Sequence, residues 1–371
     1  MINLSQTVRI WVLAIATCLS MPALYSQAPK APVRMNDSHF HLTNYVQEGI
    51  SLGDMLGIMG DQVERVALFG IPLQQTWSYE NSGEYGPEYY LHSDAPLYYY
   101  SFTDAYIATE YLKLSPEQQK RFDPMITGFN PADMYGVDHI KRVLHAFPGV
   151  FTGIGEFTIH KEFVSSKVAG DVASLTDPAL DSILSFAGES GLLVLIHCDM
   201  DIPFQKDGAE PVYLDQMMET LAKHKESTII WAHMGLGRVV HPVRTVGDVA
   251  PDEIHPNHVY IIEGILSDSQ YDHVYFDISW DEVAKYILQN QKTLFATAKL
   301  IEDHPTRFLF GSDTVSPKDD DAYYGVYEMY QPLWEALTPK TRDLVLKGNY
   351  NRLFDSASEK VRAWEAENVK P

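Results

Sequence analysis

Apolar residues along the chain fall into two alternating rhythms. Short, nearly continuous apolar runs recur at Met35–Leu42, Val63–Phe69, Met125–Phe129, Phe151–Phe157, Leu192–Ile196, Thr228–Ala232, Val274–Ile278 and Arg307–Ser312. Continuous apolarity suits a strand covered on both faces, as in a parallel sheet with helices outside. The intervening segments predict helices at Leu52–Gly60, Val137–Phe147, Pro178–Ser190, Tyr213–Lys225 and Asn257–Leu266, one beginning near Asp281 and ending before His304-Pro305, and more from Tyr323 onward. The punctuation agrees with this reading: Gly70 and Pro72 end the second run, Asp177 and Pro178 open a helix, and Gly191 closes it. Eight strands alternating with helices predict an α/β fold, a closed (β/α)8 TIM barrel whose size agrees with one domain.

Two stretches depart from that rhythm. Between Trp77 and Tyr111 lie nine of the chain's 22 tyrosines, amid Gly, Pro, Asn and Ser that favour loop. This reads as a Tyr-rich βα insertion at about residues 73–122, with order resuming at Asp123. Placed after a barrel strand it would lie over the mouth, as an aromatic lid or substrate platform, or else as a self-packed surface loop or subunit contact. The pattern does not choose between these.

At the start, Arg9 precedes an apolar run, Ile10–Leu19, and small residues from Ser20 to Ala28 offer cleavage points. This reads as a signal peptide over residues 1–26, followed by the barrel at 33–358 and a helical tail at 359–371. The run is too short to span a bilayer, and no other segment is long and apolar enough. The expected mature protein is therefore soluble and exported, secreted or periplasmic. A lipoprotein processed at Cys18 is less favoured, because Thr17 is a poor residue before a modified cysteine. Cleavage removes Arg9 and no acid, taking the net charge from −22 to −23, and leaves Cys198 without a disulfide partner. Such a charge argues against nucleic acid or anionic membranes as partners.

The candidate chemistry sits where the apolar runs end. On a strand, His39 and His41 project to one face with Phe40 turned away between them. Glu156 falls at the end of the fourth run, His197 ends the fifth, His233 the sixth and Asp313 the eighth. Each alone has an ordinary structural explanation, such as a satisfied core histidine or a helix cap. All of them at the C-terminal rim of one barrel is a different matter, because that rim is where such barrels do chemistry. Imidazoles with carboxylates there suit a divalent ion.

These residues stand in short motifs: Asp37-Ser38-His39-Phe40-His41, Gly155-Glu156, Ile196-His197, Ala232-His233-Met234-Gly235, Gly311-Ser312-Asp313 and the closing Gly348-Asn349-Tyr350-Asn351-Arg352-Leu353-Phe354. In them the chain resembles the amidohydrolase superfamily, and more closely its amidohydrolase-related branch (amidohydrolase 2), which includes aminocarboxymuconate-semialdehyde decarboxylase. The resemblance implies that His39, His41, His197 and Asp313 bind a divalent metal, usually zinc, and that His233 has a catalytic or second-metal role. The chemistry of such a site gives the hypothesis that Asp313 accepts a proton from a metal-activated water and passes it to the leaving group, while His233 polarises the carbonyl or stabilises the developing oxyanion. Relatives with a strand-four acid often bridge two metals, whereas the decarboxylase-like ones commonly hold one and lack that acid. Glu156 therefore leans the reading towards hydrolysis, with one zinc or two. Arg238, His160, Lys161 and Trp280, with Asp281 beside it, are candidates for substrate contact because they follow the strand ends closely.

The resulting expectation is an exported metal-dependent hydrolase acting on an amide, ester or lactone of a small molecule. The alternative is a non-oxidative decarboxylase or other lyase on the same scaffold. A non-enzymatic binding protein fits the intact ligand set less well. Whether the chain forms a homo-oligomer is left open.

Overall fold

Each strand of the sheet pairs in parallel with the next strand in the sequence, so the order around the sheet is the order along the chain. The structure, a computed structural model, describes residues 34–44, 47–75, 83–84, 97–161, 173–202, 211–238 and 257–369. They belong to one compact unit, 34–371. The signal segment read from the sequence lies outside the described residues. The strands are β1 (Met35–His41), β2 (Val63–Phe69), β3 (Phe122–Ile126), β4 (Gly153–Thr158), β5 (Leu193–His197), β6 (Ile229–Trp231), β7 (Val274–Asp277) and β8 (Phe308–Leu309). A short strand beyond β8, Thr314–Val315, pairs with β1. The Ser38 N–H donates to the Phe310 carbonyl at 3.0 Å and the Asp313 N–H to the His39 carbonyl at 2.8 Å, which closes the ring.

Alternation along the strands divides the apolar residues between two cores. On β5, Val194 and Ile196 join the layer between sheet and helices, whereas Leu193 and Leu195 belong to the barrel interior. Ala67, Phe69, Met125, Ile230 and Leu309 share that interior. Its floor is supplied by the long helix α10 (Asn349–Asn368), which contributes Tyr350, Leu353, Phe354 and Ala357.

The outer layer includes α1 (Leu52–Met59), α2 (Phe102–Leu112), α3 (Gly136–Ala146), α4 (Pro178–Ser190), α5 (Leu214–Lys223), α6 (His258–Ser267), α7 (Asp281–Leu288), α8 (Gln291–Asp303) and α9 (Asp320–Met329). At α4 the expected caps are in place: the Asp177 carboxylate accepts the Ala179 N–H at 2.9 Å, and Gly191 is left-handed at φ 76°. Among the described residues no helix is long and apolar enough to cross a membrane.

Three elements differ from the sequence pattern. The third strand begins at Phe122 and runs through Pro124, whose carbonyl accepts the Thr152 N–H at 2.9 Å, so the proline completes its ladder as an acceptor. Order resumes well before Asp123: Leu73–Gln75 and Leu97–Tyr99 form an antiparallel pair and Phe102–Leu112 is helical, so the β2–β3 connection carries its helix despite the tyrosines. Residues 76–82 and 85–96, where a lid or subunit contact was expected, lie outside the described residues. The helix expected from Asp281 is two helices, broken where Asn290 caps α8 by accepting the Thr293 N–H at 2.9 Å.

The floor of the barrel is pinned by one buried acid. Asp123 accepts from Arg65 at 2.8 and 3.0 Å and from the Tyr350 hydroxyl at 2.7 Å, and the guanidinium lies 5.3 Å from the Tyr350 ring centroid. Asp123→Ala strands the buried Tyr350 hydroxyl and leaves Arg65 with Asp355 alone, so it should lower the unfolding free energy by about 2 kcal/mol in urea titrations. A midpoint matching the wild type would show that α10 is held by apolar packing alone.

Candidate metal centre

The sequence builds this site by ending apolar strands on polar residues. His39 and His41 face the barrel interior, where both rings stand edge-on to Phe69 at centroid distances of 5.2 and 4.7 Å, while Phe40 packs outward against Tyr323. Glu156 follows Gly155, at φ 129°, where any Cβ would run into the Leu195 carbonyl of the neighbouring strand. His233 (φ 55°), Trp280 (φ 81°) and Asp313 (φ 52°) all lie just past strand ends in left-handed backbone. Each such residue costs about 1–3 kcal/mol and persists only where its surroundings hold it.

The side chains converge. Asp313 Oδ1 lies 3.2 Å from both His39 Nε2 and His41 Nε2. Glu156 reaches across the centre, with Oε2 at 3.8 Å from His39 and 3.4 Å from His41, and Oε1 at 2.6 Å from His197 Nδ1 and 3.6 Å from His233 Nε2. Ligand atoms of His39, His41 and Asp313 lie within 4.8 Å of one another, as do those of His39, Glu156 and His233. Sequence reading had singled out all six of these residues.

The donor set fits a cation. Nε2 of His39 and Nε2 of His233 are buried without a hydrogen-bond partner, although both point towards the Glu156 and Asp313 carboxylates. A polar atom left so costs about 1–3 kcal/mol. A divalent ion among these nitrogens and carboxylate oxygens would satisfy them, and the mixture of imidazole and carboxylate suits zinc.

Other groups orient these ligands. Asp277, fully buried at the end of β7, accepts from His39 Nδ1 at 2.9 Å, from the His233 N–H at 2.7 Å and from the Ser279 hydroxyl at 2.5 Å. Because the Ser279 proton is committed to Asp277, its Oγ serves as acceptor for His233 Nδ1 at 2.8 Å. Neutral His233 then presents a lone pair at Nε2, which makes it a ligand in character. Asp199 lies 2.9 Å from His197 Nε2. Asp37 gathers the His39 N–H, the Ser312 N–H and hydroxyl, and the Tyr323 hydroxyl, at 2.6–3.0 Å. Sequence reading passed over Asp277, though it bears the same mark as Asp313, an acid ending an apolar strand.

The candidates for substrate contact separate. Lys161, Arg238 and Trp280 gather at the rim: the Trp280 ring is 5.0 Å from His233, with Lys161 Nζ 5.7 Å and the Arg238 guanidinium 5.1 Å from the indole centroid. His160 instead stacks on Tyr213 at 3.7 Å, and burial pushes its pKa down to about 4. Asp281 pairs with Lys285 at 2.7 Å on the first turn of α7.

Electrostatics couple the whole set. Burial drives the Glu156 and Asp313 carboxyls up, but Lys161 and His197 outweigh it for Glu156, and His39 and His41 for Asp313, so both lie well below the usual range. Burial lowers His39, yet Asp277 and Asp313 hold it well above 6.5, and His41 and His197 are raised by their own carboxylates. His233 is lowered, chiefly by burial. The raised imidazoles stabilise the metal-free fold fully below about pH 6.5, and that contribution is lost as pH rises through their raised values. The depressed carboxyls contribute above about pH 4 and lose it as pH falls.

A cation displaces the imidazole protons. Titrating zinc into metal-free protein near pH 7 should therefore release protons, seen as a calorimetric heat that scales with the buffer's ionisation enthalpy. A buffer-independent heat would contradict the protonated arrangement. Asp277→Asn should weaken zinc about 10- to 100-fold in a chelator competition, with the fold intact by circular dichroism.

No family model matches the chain, and no curated protein matches its sequence. Solved structures do. An amidohydrolase from Burkholderia multivorans with bound zinc superposes at a TM-score of 0.52 with 12% identity, over 87% of this chain and 99% of its own. An Acinetobacter baumannii protein named a probable 2-pyrone-4,6-dicarboxylic acid hydrolase, with citric acid bound, gives 0.52 at 10% identity over 87% and 100% of the two chains. An uncharacterised TIM-barrel protein from Bordetella bronchiseptica gives 0.50 at 13% identity over 88% and 99%. At such identities the shared property is the fold, and that fold is a (β/α)8 barrel.

Proposed function

We propose that the protein is an exported, metal-dependent hydrolase that cleaves an amide, ester or lactone bond of a small molecule. The observation that carries this is the convergence of His39, His41, Glu156, His197, His233 and Asp313 around two orphaned imidazole nitrogens. The zinc in the Burkholderia protein supports the choice of metal. A 2-pyrone is a cyclic ester, so the name of the Acinetobacter protein supports placing lactones among the substrates to be tried first. Export rests on the apolar segment Ile10–Leu19.

His39, His41 and Asp313 would hold one zinc ion. Glu156 has one oxygen towards His39 and His41 and the other towards His197 and His233, an arrangement that supports a second ion shared through it. When bound, a divalent cation supplies Lewis acidity, acidifying water towards neutral pH and polarising a carbonyl oxygen. Asp313, held ionised, is available at the rim to take a proton and return it to a leaving group. His233 enters as a ligand, since its Nδ1 proton is committed to Ser279. Trp280 and Phe69 flank the imidazoles and limit access of bulk water.

Zinc-loaded protein should hydrolyse members of a panel of small lactones, esters and amides, and Asp313→Asn should lower kcat by about 10²- to 10⁴-fold while keeping its circular dichroism spectrum. Full turnover in Asp313→Asn would remove the mechanism. Carbon dioxide release from cyclic or aromatic acids, with the panel untouched, would replace hydrolysis by decarboxylation.

A further inference from the structure

The imidazoles of the centre are not all held from the same side. His39 and His233 have Nδ1 engaged, by Asp277 at 2.9 Å and by the Ser279 hydroxyl at 2.8 Å, which leaves Nε2 facing the carboxylates of the centre. His197 is held the other way round. Its Nε2 lies 2.9 Å from Asp199 Oδ1, and its Nδ1 lies 2.6 Å from Glu156 Oε1. A ring nitrogen that keeps its proton for a carboxylate leaves the opposite nitrogen as the one with a lone pair to offer. For His197 that nitrogen is Nδ1. Turning the ring by half a rotation about Cβ–Cγ would put carbon in both places, so whatever fixes Asp199 also fixes whether His197 can serve as a ligand.

Asp199 sits in a seat made by the two neighbouring strand ends. Its N–H donates to the His160 carbonyl beyond β4 at 2.8 Å, and the N–H of the next residue, Met200, donates to the Gly235 carbonyl beyond β6 at 2.9 Å. The Met200 carbonyl accepts the Tyr213 N–H at 2.8 Å, and Tyr213 stacks on the His160 ring. On the other side, the Trp231 indole donates to the Cys198 carbonyl at 2.8 Å. The Asp199 carboxylate, in a residue only 3% exposed, rests against Gly237. A Cβ at position 237 would stand 2.6 Å from Asp199 Oδ2 and 2.8 Å from its Cγ, well inside van der Waals contact. No side chain fits there while Asp199 keeps its place.

We infer that Asp199 is a positioning residue: seated by Gly237 and the His160 carbonyl, it holds His197 with Nδ1 turned towards Glu156, and so determines whether β5 contributes a ligand. Gly237 is then a requirement of the centre although it touches no ligand. The consequence for catalysis rests on the hydrolase reading. The seat itself can be read in metal-free protein.

The test uses full-length protein carrying nitrogen-15 histidine, with the His197 signals assigned by their loss in His197→Asn. In metal-free wild type the His197 Nε2 proton should exchange slowly with water, and in Asp199→Ala and Gly237→Ala it should lose that protection. Zinc should shift Nδ1 of His197 and leave Nε2 protonated. In a chelator competition Asp199→Ala and Gly237→Ala should each weaken zinc roughly 10- to 100-fold, and Asp199→Asn, which keeps an acceptor oxygen, should recover part of the loss. The double variant should bind no more weakly than Asp199→Ala alone, because the methyl at 237 acts only through the carboxylate. Gly264→Ala, exposed on α6 with open space around it, should match wild type. The inference is overturned if zinc takes His197 through Nε2, if Asp199→Ala keeps wild-type zinc affinity, or if the losses at 199 and 237 add in the double variant. Circular dichroism on the same preparations separates these outcomes from unfolding, and should Asp199→Ala fail to fold, Asp199→Asn and Gly237→Ala carry the same comparison. A protein that holds no zinc yet shows the protected proton fails the hydrolase reading and keeps the seat, whereas a zinc hydrolase in which Asp199→Ala matches wild type fails the seat alone.

Discussion

Carboxylates and imidazoles share a rim from which water is nearly excluded, and neither kind of group could be there without the other. Taking an ion out of water costs several kcal/mol, and only close opposite charge or good hydrogen bonds offset that. Glu156, Asp199, Asp277 and Asp313 each lie within hydrogen-bonding or ion-pairing reach of at least one of His39, His41, His197 and His233. Each of these residues therefore fixes the state of its neighbours. A change at one position is felt by the whole set, which is why it must be treated as one coupled unit.

That coupling reaches into the backbone. Asp277 binds a side chain of β1 and a main-chain N–H beyond β6, and Asp37 ties β1 to Ser312 and to α9. The seam where the barrel closes, between β8 and β1, thus lies beneath the same residues that gather the ligands. Left-handed backbone at His233 and Asp313 is sustained by this lattice of acceptors. Closing the sheet and organising the centre are one event.

What could be read from the sequence follows from how locally it is determined. The apolar run Leu192–Ile196 specifies β5 because a strand buried on both faces admits little else, and Asp177, Pro178 and Gly191 specify α4 because caps act over a few residues. Six ligand candidates were visible as polar residues at the ends of such runs, and their side chains do converge. The misplacements arose where tertiary context overrides local preference. Pro124 looks like a strand boundary until its carbonyl is seen in the ladder, and the tyrosines near Phe102–Leu112 mask a helix. His160 shows a further limit: counting residues past a strand end gives its position but not the direction of its ring, which turns to Tyr213. Asp277 and Asp199 were legible in principle, but an acid that holds an imidazole looks in sequence like one that binds an ion.

The barrel floor carries a consequence for how the polypeptide comes to be folded. Tyr350, Leu353, Phe354 and Ala357 complete an interior begun by residues as early as Ala67. Until a ribosome has delivered that helix, the strands enclose a cylinder open at its base, with apolar walls and with Asp123 and Arg65 lacking their aromatic cover. Cooperative collapse of that interior therefore waits for the segment that forms α10.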